Sequence, residues 1–93
     1  MSIAELKRAS ELCLSQKTGL ISGLTFQPKF DLLVEGVKIC RYVADFQYQE
    51  NGRTVVEDTK PGGDFMDAVA KMKIDLFNAL NAKHGLKVLI SRR

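Results

Sequence analysis

Two aspartates occupy positions in the segment YVADFQYQENGRTVVEDTK, residues 42–60, at which a β-hairpin would bring them together. Runs of β-branched and aromatic residues flank Asn51-Gly52. This dipeptide is the one best suited to a two-residue type I′ turn, because both central positions require φ > 0. Counting back from that turn along the two strands places Asp45 directly opposite Asp58.

Lys60 joins the two carboxylates, because side chains two residues apart on a strand share a face. Opposed side chains have Cβ atoms about 4.5–5.5 Å apart. Two hard oxygen donors with an ammonium beside them suit Mg²⁺ or Mn²⁺ acting on a phosphate. The alternative is a plain surface charge cluster in which Asp45 pairs with Lys60 or Arg41. However, Asp45 stands in an apolar and aromatic run, where an unpaired carboxylate would be costly, and this favours a functional site.

The composition indicates one small globular domain that spans residues 1–93. Apolar residues make up 45% and charged residues 27% of the chain, which excludes a disordered protein. A chain of this length buries only about 60–65% of its unfolded surface, so a large substrate has to bind on the outside. The net charge of +3 is compatible with nucleic acid without requiring it.

The two cysteines and the hydropathy pattern bear on the compartment. Cys13 and Cys40 are too few and too far apart for a disulfide framework or a zinc site. No apolar run approaches the roughly 20 residues of a membrane span, and the polar start from Ser2 to Glu11 lacks the apolar centre of a signal peptide. We therefore expect a cytoplasmic protein with no membrane association.

A first helix is predicted from the capping box SIAE at residues 2–5 to about Lys17, with apolar residues at helical spacing between them. Glu5 has two possible roles in it. As the third residue of the capping box it has a structural role. Its helical neighbours Ala9 and Leu12 also place it at the edge of the apolar stripe, from which it could reach the sheet as a third acidic ligand.

Three antiparallel strands are predicted next. Extended runs on either side of Glu35-Gly36 indicate a second hairpin. Pro28 cannot donate a ladder hydrogen bond, which places the first strand at an edge or delays its start. Residues 37–48 are apolar on both faces and are therefore predicted to form the central strand, with residues 53–59 as its partner.

A second helix is predicted with Asp64 as its N-cap and Asp67 at its third position. Its expected core stripe consists of Phe65, Val69, Met72, Leu76 and Leu80, with Phe77 at the margin. Lys73 falls inside this stripe. It either extends past apolar neighbours to solvent or reaches a phosphate or the acidic pair. Lys71 points away from the stripe.

His84-Gly85 closes the second helix, and residues 86–91 form a short final strand. His84, the single histidine, stands at a helix C-terminus, where it serves the helix dipole better than catalysis. The resulting order predicts an α/β (α+β) fold with a central antiparallel hairpin flanked by helices.

These motifs resemble the PD-(D/E)XK nuclease superfamily. Asp45 precedes the hairpin, Asp58-Thr59-Lys60 follows it, and an acidic residue lies on the first helix. The segments SIAELKRASEL, GLISGLTFQPKF, YVADFQY, VVEDTK and KMKIDLF together look like a family of small phage-encoded proteins of unassigned function within that superfamily. The layout, over nearly the whole chain, is similar to the Holliday-junction resolvases of T-odd phages.

The resemblance implies a restriction-endonuclease-like core of order α-β-β-β-α-β and a Mg²⁺- or Mn²⁺-dependent DNA endonuclease. Asp45 and Asp58 match the two motif acids that bind metal. Lys60 matches the lysine that positions or deprotonates the attacking water or stabilises charge on the phosphate. Glu5 matches the helix-borne acid, and the backbone carbonyl of Thr59 matches a further metal ligand.

The resemblance also favours branched DNA as substrate, in phage replication or recombination inside a host cell, and a homodimer. Arg8, Lys71 and Lys73 are the candidate nucleic-acid contacts. Strand alternation turns Glu57 away from Asp58, to the face beside Phe46, so we leave Glu57 out of the site. The alternative function is a non-catalytic DNA-binding or assembly protein on the same fold.

Overall fold

Residues 2–60 and 67–92, which the computed structural model describes, form a mixed α/β domain of two α-helices, one short 3₁₀ helix and six strands. Their order is α1 (Ile3–Lys17), β1 (Ser22–Phe26), β2 (Lys29–Val34), β3 (Val37–Val43), β4 (Phe46–Glu50), β5 (Arg53–Lys60), α2 (Ala68–Leu80), the 3₁₀ helix (Ala82–His84) and β6 (Val88–Arg92). Neither α-helix in these ranges has the length and apolar character needed to cross a membrane.

The strands form two sheets. The larger one has the order β1-β4-β5-β6, in which β5 and β6 are parallel and the other neighbours antiparallel. A parallel pair requires a crossover, which α2 supplies. Strands β2 and β3 form a separate antiparallel ribbon. The predicted β4–β5 hairpin is central to the larger sheet, with α1 packed against β1 and β5 and α2 packed against β2, β3 and β6.

Three strands were predicted before the second helix, but the structure has five, because two predicted strands each break in the middle. Gln27, with φ of +52°, and Pro28 separate β1 from β2, and Ala44-Asp45 separates β3 from β4. The breaks lie side by side: the N–H of Gln27 donates to the Asp45 carbonyl (2.9 Å), and that of Ala44 to the Pro28 carbonyl (3.1 Å). Beyond these two breaks, β2 and β3 separate from the main sheet as their own hairpin. The prediction that residues 37–48 form a single central strand is therefore wrong.

Both predicted hairpin turns are present. Asn51 and Gly52 have φ of +53° and +77°, and the β4–β5 register is the predicted one, from Glu50 opposite Arg53 to Phe46 opposite Glu57. The second turn, at residues 35–36, has the same left-handed backbone, with φ of +50° and +81°. Farther from this turn, the β2–β3 register shifts between residues 32 and 33. Glu-Gly specifies the register of a hairpin less strongly than Asn-Gly, so such a shift is compatible with the sequence.

The main sheet carries a hydrophobic cluster on each face. The cluster under α1 contains Leu12, Ile21, Phe46 and Tyr48. The cluster under α2 contains Leu32, Tyr42, Ala44, Val56, Ile74, Phe77 and Val88. Helix α1 starts as predicted, because Ser2 Oγ accepts a hydrogen bond from the Glu5 N–H at 3.2 Å. The two helices therefore cover opposite faces of one sheet.

The second helix starts later than predicted. Asp67 is its N-cap and not its third residue, since the Asp67 carboxylate accepts from the Val69 N–H at 3.1 Å. The predicted cap Asp64 and the predicted core residue Phe65 lie outside the described residues.

The buried face of α2 is also rotated from the predicted stripe. Ile74 and Phe77 are buried, whereas Val69 and Met72 are more than half exposed. The helix ends at Leu80, and Gly85, with φ of +68°, closes the 3₁₀ helix that follows. The last strand covers residues 88–92, slightly later than predicted.

Candidate active site

Asp45, Asp58 and Lys60 line a single cleft of about 280 Å³. The cleft lies between the end of β3, the end of β5 and the first turn of α2. Its other lining residues are Arg41, Tyr42, Val43, Asp67, Val69, Ala70 and Lys73. The structure thus brings together the two carboxylates and the ammonium group that the hairpin register predicts to be neighbours.

Backbone hydrogen bonds fix the two aspartates relative to each other. The Asp45 N–H lies 3.1 Å from Asp58 Oδ1 and 3.2 Å from the Glu57 carbonyl, and it donates to both. In return, the Thr59 N–H donates to Asp45 Oδ2 at 2.8 Å. Asp45 lies in the break between β3 and β4, outside the regular ladder, and its carboxylate there meets the Thr59 N–H. Each carboxylate is therefore held in place by a main-chain N–H of the opposite segment.

Tyr42 is a site residue that the sequence analysis missed. Its side chain is buried, and its hydroxyl donates to Asp58 Oδ2. In one continuous strand Tyr42 and Asp45 would face opposite sides, and only the break between them turns both toward Asp58. Pro28, which stands opposite this break, was the available signal that the ladder is interrupted there.

Burial raises the pKa of Asp45 to about 6. The Thr59 N–H opposes this rise, repulsion from Asp58 and Glu5 adds to it, and attraction to Lys60 lowers it. The pKa of Tyr42 is raised, first by burial and then by its hydrogen bond to Asp58, so the phenol stays a donor at neutral pH. The cleft accordingly holds a carboxyl group poised to exchange a proton near neutral pH.

The lysines of the region differ in their positions. Lys60 Nζ lies 4.0 Å from Asp58 Oδ2, and its side chain is 23% exposed. Lys73 is partly buried and lines the same cleft. Lys71 is exposed, pairs with Asp75 at 2.7 Å and is not among the residues that line the cleft. Of the two α2 lysines, Lys73 is therefore the one placed to meet a ligand in the cleft.

Glu5 remains in the helix cap. Its Oε1 lies 3.3 Å from Ser2 Oγ, and its charge reaches the site only as repulsion on Asp45. Among residues 2–60 and 67–92, no three His, Cys, Asp or Glu side chains form a group that could hold a metal ion. The structure therefore supports the capping role of Glu5, and its role as a third ligand stays a prediction.

Glu57 faces away from the site, as predicted, and is fully buried under α1. It accepts hydrogen bonds from Arg8 Nε (2.6 Å), Tyr48 Oη (2.7 Å) and Ser91 Oγ (2.8 Å), and a second Arg8 nitrogen lies at 3.0 Å. Burial alone would raise the pKa of Glu57, but these donors together lower it. The carboxylate is thus charged and fully paired.

The structure pairs Arg8, a predicted nucleic-acid contact, with two acids of the protein itself, and its role as a nucleic-acid contact stays a prediction. Its guanidinium binds Glu57 and also Glu11 at 3.0 Å, and its side chain is 21% exposed. The pKa of Arg8 is raised, chiefly by its hydrogen bond to Glu57. Its charge is therefore neutralised within the protein.

The donor set of the cleft fits a hard divalent cation in part. Asp45 Oδ1 accepts no hydrogen bond within the described ranges, and Asp58 Oδ2 keeps a lone pair beside the one that Tyr42 engages. Mg²⁺ is usually bound by one or two carboxylates and completes its shell with water and substrate oxygens. Asp45 and Asp58 are sufficient for that mode.

Removing the hydroxyl in Tyr42→Phe is expected to lower the free energy of unfolding by about 1–3 kcal/mol, because it leaves a buried oxygen of Asp58 without its donor. Urea denaturation of the variant measures this loss. Tyr48→Phe is the matched control on the other face of the sheet, since it removes one of several donors to Glu57. A Tyr42→Phe protein with unchanged stability would contradict the hydrogen bond.

Comparisons with protein-family models, with curated proteins and with solved structures find no match for this chain. The case for a function therefore depends on the geometry of the cleft.

Proposed function

We propose that this protein is a metal-dependent DNA endonuclease whose active site is the cleft that holds Asp45, Asp58 and Lys60. One observation carries the proposal: two carboxylates are fixed to each other through main-chain hydrogen bonds, with an ammonium 4.0 Å from one of them, at the surface of a small domain. A large substrate can reach such a cleft, and phosphodiester hydrolysis by one or two metal ions uses this donor set.

The connectivity of the main sheet supports the same proposal. When the β2–β3 ribbon is set aside as an insertion, the order α1-β1-β4-β5-α2-β6 is the α-β-β-β-α-β expected of a restriction-endonuclease-like core. Asp45 and Asp58 then lie at the start and the end of the central hairpin. The ribbon lies within the first predicted hairpin, between the first two core strands.

Asp45 and Asp58 would hold the cation, with the Thr59 carbonyl as a further ligand. Bound Mg²⁺ or Mn²⁺ would neutralise charge on the scissile phosphate and make water a better nucleophile at neutral pH. Tyr42 and the Thr59 N–H orient the carboxylates by their hydrogen bonds. Lys60 would position the attacking water or stabilise the developing charge on the phosphate.

The rest of the cleft supports a phosphate-bearing substrate without base recognition. Lys73 and Arg41 add positive charge to its rim, although Arg41 also pairs with Asp31 at 3.1 Å. The first turn of α2 also lines the cleft, and the Asp67 carboxylate caps its positive end. Contacts with phosphates bind DNA of any sequence. Selectivity for branched DNA and action as a homodimer are therefore proposed on the resemblance alone.

A second candidate is a DNA-binding protein that does not cut. Its support is that Asp45, Asp58 and Asp67 all line the cleft but do not form a three-acid metal-binding group in the described part of the chain, and both oxygens of Asp58 already accept hydrogen bonds. Incubation of the unmutated protein with a four-way junction and with a linear duplex of the same sequences, in Mg²⁺ and in EDTA, separates the two candidates. Mg²⁺-dependent nicking supports the nuclease, whereas binding without nicking rejects it.

Adding Mg²⁺ or Mn²⁺ is expected to raise the thermal midpoint of unfolding, because the folded cleft is the only state that holds the carboxylates together. At a concentration about 100 times Kd the gain is about 2.7 kcal/mol. The gain should grow between about pH 5 and pH 8, since the cation must displace the proton that Asp45 binds below its pKa of about 6. Differential scanning fluorimetry measures both effects, and equal midpoints with and without metal would contradict the metal site.

A further inference from the structure

A second cleft, distinct from the acidic one, lies along strand β2. It has a volume of about 550 Å³ and is lined by residues 29–33, five consecutive residues of that strand. The opposite wall comes from the end of α2 and the turn that follows it, at Leu80, Asn81, Lys83 and Leu86. Of the described residues that line this cleft, none belongs to β3. The cleft therefore follows the edge of β2 that faces away from its partner strand.

That edge of β2 is unpaired among the described strands, because β2 belongs to a two-stranded ribbon with β3 alone. An edge strand presents a row of free N–H and C=O groups, to which another extended segment can add by main-chain hydrogen bonds. The floor beside this edge is apolar, because the hydrophobic side chains of Phe30, Leu80 and Leu86 line the cleft and remain partly exposed in it. Alternate side chains of an added strand would pack on this floor.

The charges of the cleft indicate which segment fits. Lys29 and Lys83 are exposed in it and have no ion-pair partner among the described residues. The one carboxylate of the lining, Asp31, is already paired with Lys38 (3.3 Å) and Arg41 (3.1 Å). The uncompensated charge of the cleft is therefore positive.

We propose that the cleft beside β2 binds an extended, acidic peptide segment of another protein, which adds to the free β2 edge and packs alternate apolar side chains against the end of α2. The free main-chain groups supply affinity, the apolar floor selects alternate side chains, and Lys29 with Lys83 selects carboxylates. This binding is independent of the nuclease proposal, because it uses no residue of the acidic cleft.

A random hexapeptide library displayed on phage, selected on the unmutated full chain, tests the proposal. Enriched peptides should alternate apolar and polar residues and carry Asp or Glu. Synthetic copies should shift the backbone amide signals of residues 29–34 in an NMR titration. In the double variant Lys29→Glu/Lys83→Glu their affinity should fall about five- to tenfold, the expected loss for two exposed ion pairs. Lys7→Glu, an exposed reversal on α1, is the matched control and should leave affinity unchanged.

Several results would overturn the proposal. They are the absence of enriched peptides, enrichment of basic sequences, or binding that the double reversal does not weaken. Shifts of the same amides on addition of single-stranded DNA, with no peptide effect, would assign the cleft to nucleic acid instead. Concentration-dependent shifts in the protein alone would show that a second copy of the chain occupies the β2 edge.

Discussion

Replacing Arg8 with alanine is expected to lower the free energy of unfolding by about 3–5 kcal/mol, because it leaves the charge of Glu57 buried without its main partner. Glu57 is fully buried, and Arg8 approaches it through two nitrogens at 2.6 and 3.0 Å. Tyr48 and Ser91 remain as neutral donors, which cannot balance a carboxylate. Urea denaturation at neutral pH measures the loss.

The matched control is Lys71→Ala, which breaks an exposed ion pair one turn apart on α2. That pair contributes about 0.3–0.5 kcal/mol, so the loss of free energy of unfolding should be several times larger in Arg8→Ala than in Lys71→Ala. Removing both charges in Arg8→Met/Glu57→Leu should cost less than removing Arg8 alone, since no buried charge is left behind. Equal losses in Arg8→Ala and Lys71→Ala would contradict the burial of Glu57.

The Arg8–Glu57 pair also determines part of the acid response. The pKa of Glu57 is lowered in the folded protein by its hydrogen bonds from Arg8, Tyr48 and Ser91, which outweigh its burial. A lowered carboxyl pKa stabilises the fold above the unfolded value and loses that contribution as the pH falls through the folded value. Without Arg8 the sign should reverse, because burial then favours the protonated acid. The variant should therefore lose stability as the pH rises above about 4.5.

Asp45→Asn is expected to reduce cleavage at least about a hundredfold, since even outer partners of metal ligands cost about 10–100-fold and Asp45 is a proposed ligand. The same variant should be more stable than the unmutated protein at pH 8. The folded pKa of Asp45 is raised to about 6, chiefly by burial, so its contribution is full below the unfolded pKa and is lost as the pH rises through 6. Asparagine does not ionise and keeps an oxygen for the Thr59 N–H.

The stability gain should be about 1 kcal/mol at pH 8 and absent near pH 4, after allowance for solvent screening at the partly buried Asp45. Denaturation in EDTA at both pH values, together with the nicking assay in Mg²⁺, measures both effects. Asp75→Asn, at an exposed acid on α2, is the control: it should leave cleavage unchanged and lose only about 0.3–0.5 kcal/mol at either pH, from its ion pair with Lys71. Full cleavage activity in Asp45→Asn would reject the proposed site.

The site was predictable where local turn chemistry determines the register. Asn51-Gly52 fixes the β4–β5 pairing, and continuing that register by one pair beyond Phe46–Glu57 predicts Asp58 beside Asp45 and Glu57 on the other face. The helix cap at Ser2 was equally local and is present. Features of this kind depend on a few neighbouring residues, which the sequence displays directly.

Other features depend on contacts between distant residues, which no local pattern specifies. Two strands break side by side, and the Ala44 N–H donates to the Pro28 carbonyl between the two breaks. Pro28 signals the first break, but no local pattern marks the second. The buried face of α2 is determined by its packing on the β2–β3 ribbon. Ile74 is therefore buried there, whereas Val69 and Met72, which were predicted to be core residues, are exposed. The ion pair of Arg8 with Glu57 joins residues 49 positions apart, so helix periodicity could not reveal it.

The Asp58 carboxylate bridges the bend between β3 and β4. Its carboxylate accepts one hydrogen bond from Tyr42, before the bend, and one from the Asp45 N–H, after it. The same side chain therefore holds both the proposed metal-binding geometry and the bend between the two sheets. A substitution of Asp58 would disturb both together, which makes Asp45 the cleaner position at which to separate chemistry from architecture.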